Sequence, residues 1–201
     1  MTQEAPSKSV RTRERILDAA AEVLSRKGYA GTRLTDVAEA AGVQAPAIYY
    51  YFASRDDLVE EVMWTGAHRV RAHLEEVLAA LPADTEPRDR LLVAVEAHLR
   101  YELQISAYTT AAVRNAGQVP EHLRERPAAE ESAYSRLWRE LFRDAQDAGH
   151  LRADLDINVF RLLLLGSMYW AVEWWNPRTR SLDDLVRATQ DMVRHGTFAH
   201  P

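Results

Sequence analysis

The sequence predicts an all-α protein: an N-terminal three-helix helix-turn-helix domain followed by a C-terminal helical ligand-binding and dimerisation domain, with about nine or ten helices in all. Three observations lead there. Apolar residues recur at helical spacing from Ile16 to Val193, and serine, threonine, aspartate, glycine and proline punctuate them where helices would start and stop. No segment alternates apolar and polar residues around a hairpin turn. A small residue, Ala38, precedes a Gly42-Val43 turn at the spacing that lets two short helices cross closely.

The first helix carries Ile16, Leu17, Ala20, Val23 and Leu24, and Gly28 ends it after Lys27. Thr32 is the expected cap of a second helix containing Leu34, Val37 and Ala38. A third spans Ala45 to Phe52, with Pro46 in its first turn, where a missing N–H costs nothing. Ser54 caps a long connector expected over 55–81. Further helices are expected over 88–106 (continuing or kinking to 115), 121–126, 128–148, 157–175 and 182–195. Asp156 caps the 157–175 helix and Gly196 serves as the last C-cap. Residues 1–9 read as a flexible basic tail, 10–54 as the DNA-binding domain and 55–201 as the effector-binding and dimerisation body.

The chain has 201 residues, no cysteine and a formal charge of −5. Cysteine-based metal sites, nucleophiles and disulfides are therefore excluded. The mild acidity opposes bulk coating of nucleic acid but not local binding through Lys8, Arg11, Arg13 and Arg15. No apolar run is long enough for a signal or a bilayer crossing, so the expected setting is cytoplasmic, without a membrane. The seven histidines are scattered, and His68 and His73 miss the same-face spacing of a helical metal pair. No phosphate loop or nucleophile elbow is present, so no enzyme activity, metal or cofactor is expected.

The run RILDAAAEVLSRKGYAGTRLTDVAEAAGVQAPAIYYYFASRDDLVEEV resembles the DNA-binding domain of the TetR family of bacterial transcriptional regulators. The resemblance rests on Gly28-Tyr29, on Thr32, Leu34, Asp36, Val37 and Ala38 leading to Gly42-Val43, and on Ile48 to Phe52 followed by Ser54-Arg55 and Asp57-Leu58. Gln44-Ala45 stands where the family commonly has serine or threonine, and Arg55 where it commonly has lysine. More loosely, GHLRADLDINVFRLLLLGSMYWAVEWWNP is similar to the C-terminal region of a subgroup of acyl-CoA-responsive repressors of lipid and sterol catabolism. The resemblance implies a homodimer on double-stranded DNA with a palindromic operator, released by a small-molecule effector, an acyl-CoA ester in that subgroup.

The residues expected to meet DNA are Thr32, Arg33 and Thr35 at the start of the second helix, Gln44, Ala45 and Ala47 at the front of the third, then Tyr49, Tyr50 and Arg55. Gln44 is the first choice for reading a base edge, and the tyrosines for phosphates. Trp64, His68, Tyr101, Tyr108, Trp138, Phe142, Met168 and Trp170 are the candidates to surround an apolar ligand, or equally to fill a core. Arg100, Arg114, Arg161 and Arg178 are the candidates for an ester's phosphates. Leu162, Leu165, Gly166, Tyr169, Leu185, Thr189 and Val193 are the expected dimer surface. An activator or effector-independent DNA binder would carry the same motifs and differ only in a body without a cavity. A helical protein-interaction module without DNA binding is opposed by Tyr49, Tyr50, Arg55 and the basic N-terminal cluster.

Overall fold

The computed structural model describes residues 7–105 and 107–199, without the Ile105 side chain. Among these residues the chain is helical: α1 (Lys8–Gly31), α2 (Leu34–Ala41), α3 (Ala45–Ile48), α4 (Arg55–Ala79), α5 (Pro87–Arg100), α6 (Ala107–Asn115), α7 (Glu125–Asp147), α8 (Ile157–Trp174) and α9 (Leu182–Thr197). A π turn, Tyr101–Ile105, follows α5, and a 3₁₀ turn, Glu121–Leu123, precedes α7. The only extended pairing among the described residues is an isolated bridge between Leu151 and Phe198.

Several elements begin or end differently from expectation. Lys8 and Ser9 belong to α1, because the Ser7 hydroxyl accepts from Val10 N–H as an N-cap. The rest of the expected tail, residues 1–6, lies outside the described residues. Thr32 does not cap α2. Arg33 occupies that position without a side-chain bond, and the Thr32 hydroxyl donates back to the Gly28 carbonyl. Beyond Ile48, α3 continues to Phe52 as hydrogen-bonded turns. Gly196 lies inside α9, where Phe198 is the C-cap.

The chain packs as two compact units. The first gathers the described residues up to His68 together with Ala107–Glu130, and the second holds 69–105 and 131–199. The functional boundary expected between 54 and 55 therefore does not mark where packing divides. The first unit buries Ile16, Ala20 and Leu24 of α1 against Val37, Ala38, Ile48 and Phe52, and against Leu58 and Val62 of α4. Tyr108 and Ala111 of α6 join the same core. Full burial of such aliphatic side chains is worth roughly 1.5–3 kcal/mol each, so α6 is a structural part of the head.

The head's geometry depends on local devices. Gly42 (φ 62°) takes the left-handed conformation that closes α2, and Val43 N–H bonds the Ala38 carbonyl at 2.9 Å. Gly28 (φ 69°) interrupts α1, and the Asn115 side chain fits against the break. Its Oδ1 accepts from Tyr29 N–H at 2.7 Å, while its Nδ2 donates to the Leu24 and Ala111 carbonyls. At Gly66 of α4, an added Cβ would lie 2.6 Å from the Tyr108 carbonyl oxygen, so α4 and α6 approach with backbone in contact.

The second unit is built from α5, most of α7, α8, α9 and the later part of α4. Val70, Leu74, Leu91, Leu99, Trp138, Phe142, Leu164, Met168, Leu185 and Val193 belong to its core. Asp156 caps α8 by accepting from Asn158 and Val159 N–H, and Ser181 caps α9.

Candidate functional site

The candidate nucleic-acid surface comprises the residues around α2 and α3. Ile48 and Phe52 are drawn into the core of the first unit, and that anchors the intervening turn. Tyr49 and Tyr50 are left facing solvent, 60% and 80% exposed. Tyr51 instead packs half-buried against the core, its ring edge-on to Tyr50. Gln44 is the exposed N-cap of α3, and its amide makes no capping bond. Ala45 and Ala47 are half-buried and present little bulk beside it. Arg33 and Thr35 are exposed at the start of α2, whose first turn lacks a side-chain cap. Uncapped N–H groups at a helix start are suited to phosphate oxygens.

Thr32 and Arg55 are placed differently from the expectation of phosphate contact. Thr32 is buried and its carbonyl accepts from Arg55 Nε at 2.8 Å. The Arg55 guanidinium also donates to the Tyr29 carbonyl and, at 3.0 Å, to Asp56, and it lies 4.2 Å over the Tyr29 ring. Arg55 thus holds the α1–α2 connection to the start of α4. Arg13 likewise turns inward, to Glu61 at 3.0 Å and over Phe52 at 4.9 Å, whereas Lys8, Arg11 and Arg15 stay exposed. Burial alone would raise the Glu61 carboxyl. The hydrogen bonds and charges of Arg126 and Arg13 outweigh it and hold the group below the usual carboxylate range.

The expected ligand-facing residues belong to both units. Trp64 and His68 stack at 4.8 Å in the first unit, with Arg126 over the Trp64 ring, and Tyr108 packs in that unit's core and donates to Asp18. Tyr101, Trp138, Phe142 and Met168 are core residues of the second unit. Trp170 is 64% exposed, because it shares the open face of α8 rather than the inner one. Arg161 is buried and donates to Ser135, Arg100 pairs with Glu96 and Asp183, Arg114 reaches the Ser25 carbonyl, and Arg178 is exposed.

The expected dimer residues divide between two faces of the last helices. Leu162 is 61% exposed and Gly166 is open, with nothing within 4 Å of an added Cβ. Leu165, Leu185 and Val193 are instead closed within the unit's own core, on the inner sides of α8 and α9. Tyr169 is half-buried beside His98, and Thr189 is half-buried with its hydroxyl on the Leu185 carbonyl. The open face adds Val159, Leu163 and Trp174 on α8 and Met192 on α9, which the expected dimer surface did not include, and Trp170, which was expected to face a ligand. On α8, Val159 lies three before Leu162, Leu163 three before Gly166, Trp170 four after Gly166 and Trp174 four after Trp170, a helical spacing that was available as a signal. A buried pair, His98 and Glu102, was also missed as a unit. Its signal is an i, i+4 acid and imidazole within an otherwise apolar helical segment.

Two short helices joined by a tight turn at Gly42, with two exposed tyrosines after the second, have the form of a helix-turn-helix head. Residues 16–62 match the bacterial regulatory proteins of the tetR family, and residues 84–197 match the tetracyclin repressor-like C-terminal domain. The chain belongs to the tetR family. It is similar to the HTH-type transcriptional repressor KstR2 of Mycolicibacterium smegmatis, with 23% identity over 178 residues, 88% of this chain and 85% of that one. In fold it is similar to AibR, whose structure was solved with isovaleryl coenzyme A and operator DNA (TM-score 0.81, 19% identity, 90% of this chain and 97% of that one). It is also similar in fold to FadR from Bacillus subtilis, solved with stearoyl-CoA (TM-score 0.75, 20% identity, 93% and 99%). These are regulators, and the chain is a regulator rather than an enzyme. No helix among the described residues is long and apolar enough to cross a membrane.

Proposed function

We propose that the protein is a cytoplasmic homodimeric repressor that binds a palindromic operator through α2 and α3 and releases it when a small apolar or acyl-CoA-type effector binds the body. The observation that carries the DNA-binding part is the exposure of Tyr49 and Tyr50 beside the unbonded Gln44 amide. The phenolic hydroxyls supply phosphate contacts, and Gln44 supplies the base-edge contact. In this reading residues 10–54 carry DNA contact and 55–201 carry the effector and dimer functions.

Dimerisation is supported by the stripe Val159, Leu162, Leu163, Gly166, Trp170 and Trp174 along one side of α8. Apolar side chains of this size on one exposed face mark an interaction surface, and the occupant here is α8 of a second copy. The effector part draws on the ligands in the AibR and FadR structures and on the name of KstR2. Transmission to the head runs through α6, which follows the π turn in sequence and is fastened to α1 by Asn115 and by the 2.6 Å Tyr108–Asp18 bond.

The test is binding of the purified protein to duplex DNA from its own upstream region at two salt concentrations, with and without isovaleryl-CoA and stearoyl-CoA. Specific, salt-sensitive binding that one ester releases is the expected result. Binding that no ester alters would refute the acyl-CoA effector and leave the DNA function. Absence of specific binding at either salt would refute the repressor reading of this upstream region.

A further inference from the structure

Three helices of the first unit meet at one carboxylate. Glu61 of α4 is largely enclosed, its side chain 16% exposed, and each of its oxygens takes a different arginine. Arg13 of α1 donates to Oε1 at 3.0 Å, and Arg126, in the first turn of α7, donates to Oε2 at 2.5 Å. Both guanidinium groups also lie over rings, Arg13 4.9 Å from the centroid of Phe52 and Arg126 4.2 Å from that of Trp64. The two hydrogen-bonded cations hold Glu61 below the usual carboxylate range, so it is ionised at neutral pH.

Two cations thus share one anion, and a positive charge is left in excess. It lies close to the candidate DNA surface, because Phe52, under Arg13, follows the exposed Tyr49 and Tyr50. The Arg13 and Arg126 side chains are more open than Glu61, 41% and 43% exposed, and ion pairs this accessible to water are held weakly. Arg13 can therefore exchange Glu61 for a phosphate oxygen, an acceptor of the same charge. The exchange would leave behind a largely enclosed carboxylate, which is costly when unpaired. Arg126 removes that cost, because it keeps Glu61 paired after Arg13 has left.

We infer that Arg126 is a positioning residue for operator binding: by holding Glu61 from α7, it releases Arg13 to a backbone phosphate of the operator. The inference rests on the DNA-binding reading above. Without Arg126, Arg13 is the cation that Glu61 retains, and it stays with the carboxylate instead of reaching DNA. Arg126 acts without touching DNA itself. Its place depends on the start of α7, which is fastened to α4 by the Trp64 ring, by His68 stacked on that ring at 4.8 Å, and by Glu130, 3.5 Å from His68. From Glu131 onward α7 belongs to the second unit, so the arginine that frees Arg13 is carried on a helix shared with the body.

The test is binding of the full-length protein to its upstream duplex over a series of salt concentrations. Arg13→Gln and Arg126→Gln are each expected to weaken binding roughly five- to tenfold and to reduce the slope of log affinity against log salt by about one, the signature of one lost phosphate contact. The two substitutions together cost no more than either alone, because they remove the same contact. Glu61→Gln added to Arg126→Gln restores both affinity and slope, since a neutral amide no longer detains Arg13. An Arg126 that acted only through its own charge or through packing would give losses that add, and Glu61→Gln would not reverse their effect on the slope. Additive losses, an unrestored slope, or unchanged affinity in Arg126→Gln would overturn the inference while the DNA function stands. No specific duplex binding by the unaltered protein would overturn the repressor reading and this inference with it.

Discussion

At the scale of single residues, the decisive distinction is between side chains that the head consumes internally and those it leaves free. Tyr50 is free, so Tyr50→Phe is expected to leave the thermal midpoint unchanged and to weaken operator binding about tenfold, the worth of one hydrogen bond to a charged group. Fluorescence anisotropy with a labelled duplex reads the loss, and unchanged affinity would remove Tyr50 from the interface. Arg55 is consumed. Its fork holds the Thr32 and Tyr29 carbonyls and stacks on the Tyr29 ring, so Arg55→Lys is expected to destabilise the protein by about 1–2 kcal/mol despite keeping the charge. A urea titration measures this, and a stability equal to that of the unaltered protein would contradict the clamp. Sequence alone could not separate Arg55 from Tyr50, since both sit in the same motif. Which of them turns inward depends on the Tyr29 and Thr32 carbonyls, and Gly28 places those. Glu61 adds a pH dependence. Its folded-state carboxyl lies below the ordinary range, so its stabilisation is complete above that range and is lost as pH falls through the lowered value. Glu61→Gln should flatten the acid limb of the stability curve, and an acid limb of unchanged steepness would show the Arg13–Glu61–Arg126 network to be inert.

At the scale of elements, the periodicity of apolar residues placed the helices of the described residues except α6, which it left as a continuation or kink of the helix before it, because burial of one face is what makes each segment helical. Their ends were less legible. Thr32 has the chemistry of a cap but faces the Gly28 carbonyl, and Gly196 has the chemistry of a stop but sits inside α9, 3.3 Å at its Cβ position from the Phe160 ring. The membership of α6 in the head's core was not legible at all, since it depends on tertiary contacts of Tyr108, Ala111 and Asn115. Gly66 records that contact. Gly66→Ala would drive a methyl against the Tyr108 carbonyl, and the expected result is a loss of about 1–3 kcal/mol in the same titration. A neutral or stabilising Gly66→Ala would show that α4 and α6 are not held in close approach. On α8 the four leucines 162–165 divide two outward and two inward, and helical geometry requires that division. Leu163→Asp on the open face is expected to convert the dimer to a monomer in analytical ultracentrifugation while retaining helix content. A dimer of unchanged affinity would relocate the interface.

At the scale of the whole molecule, the proposed function requires two states, one that binds operator and one that binds effector. The family and its helix-turn-helix head were legible in advance because a short motif specifies them. The effector site was not, because rings such as Trp138 and Met168 in a core carry the same pattern whether they enclose a ligand or each other. Coupling between the two sites must be reciprocal: whatever factor the effector removes from DNA affinity, bound operator must remove from effector affinity. The most direct measurement is therefore titration of an acyl-CoA ester that releases the upstream duplex, performed on the free protein and on the operator complex, with the converse DNA titration beside it. The account predicts weaker ester binding in the complex, by the same factor in both directions. Equal ester affinity with and without operator would contradict it.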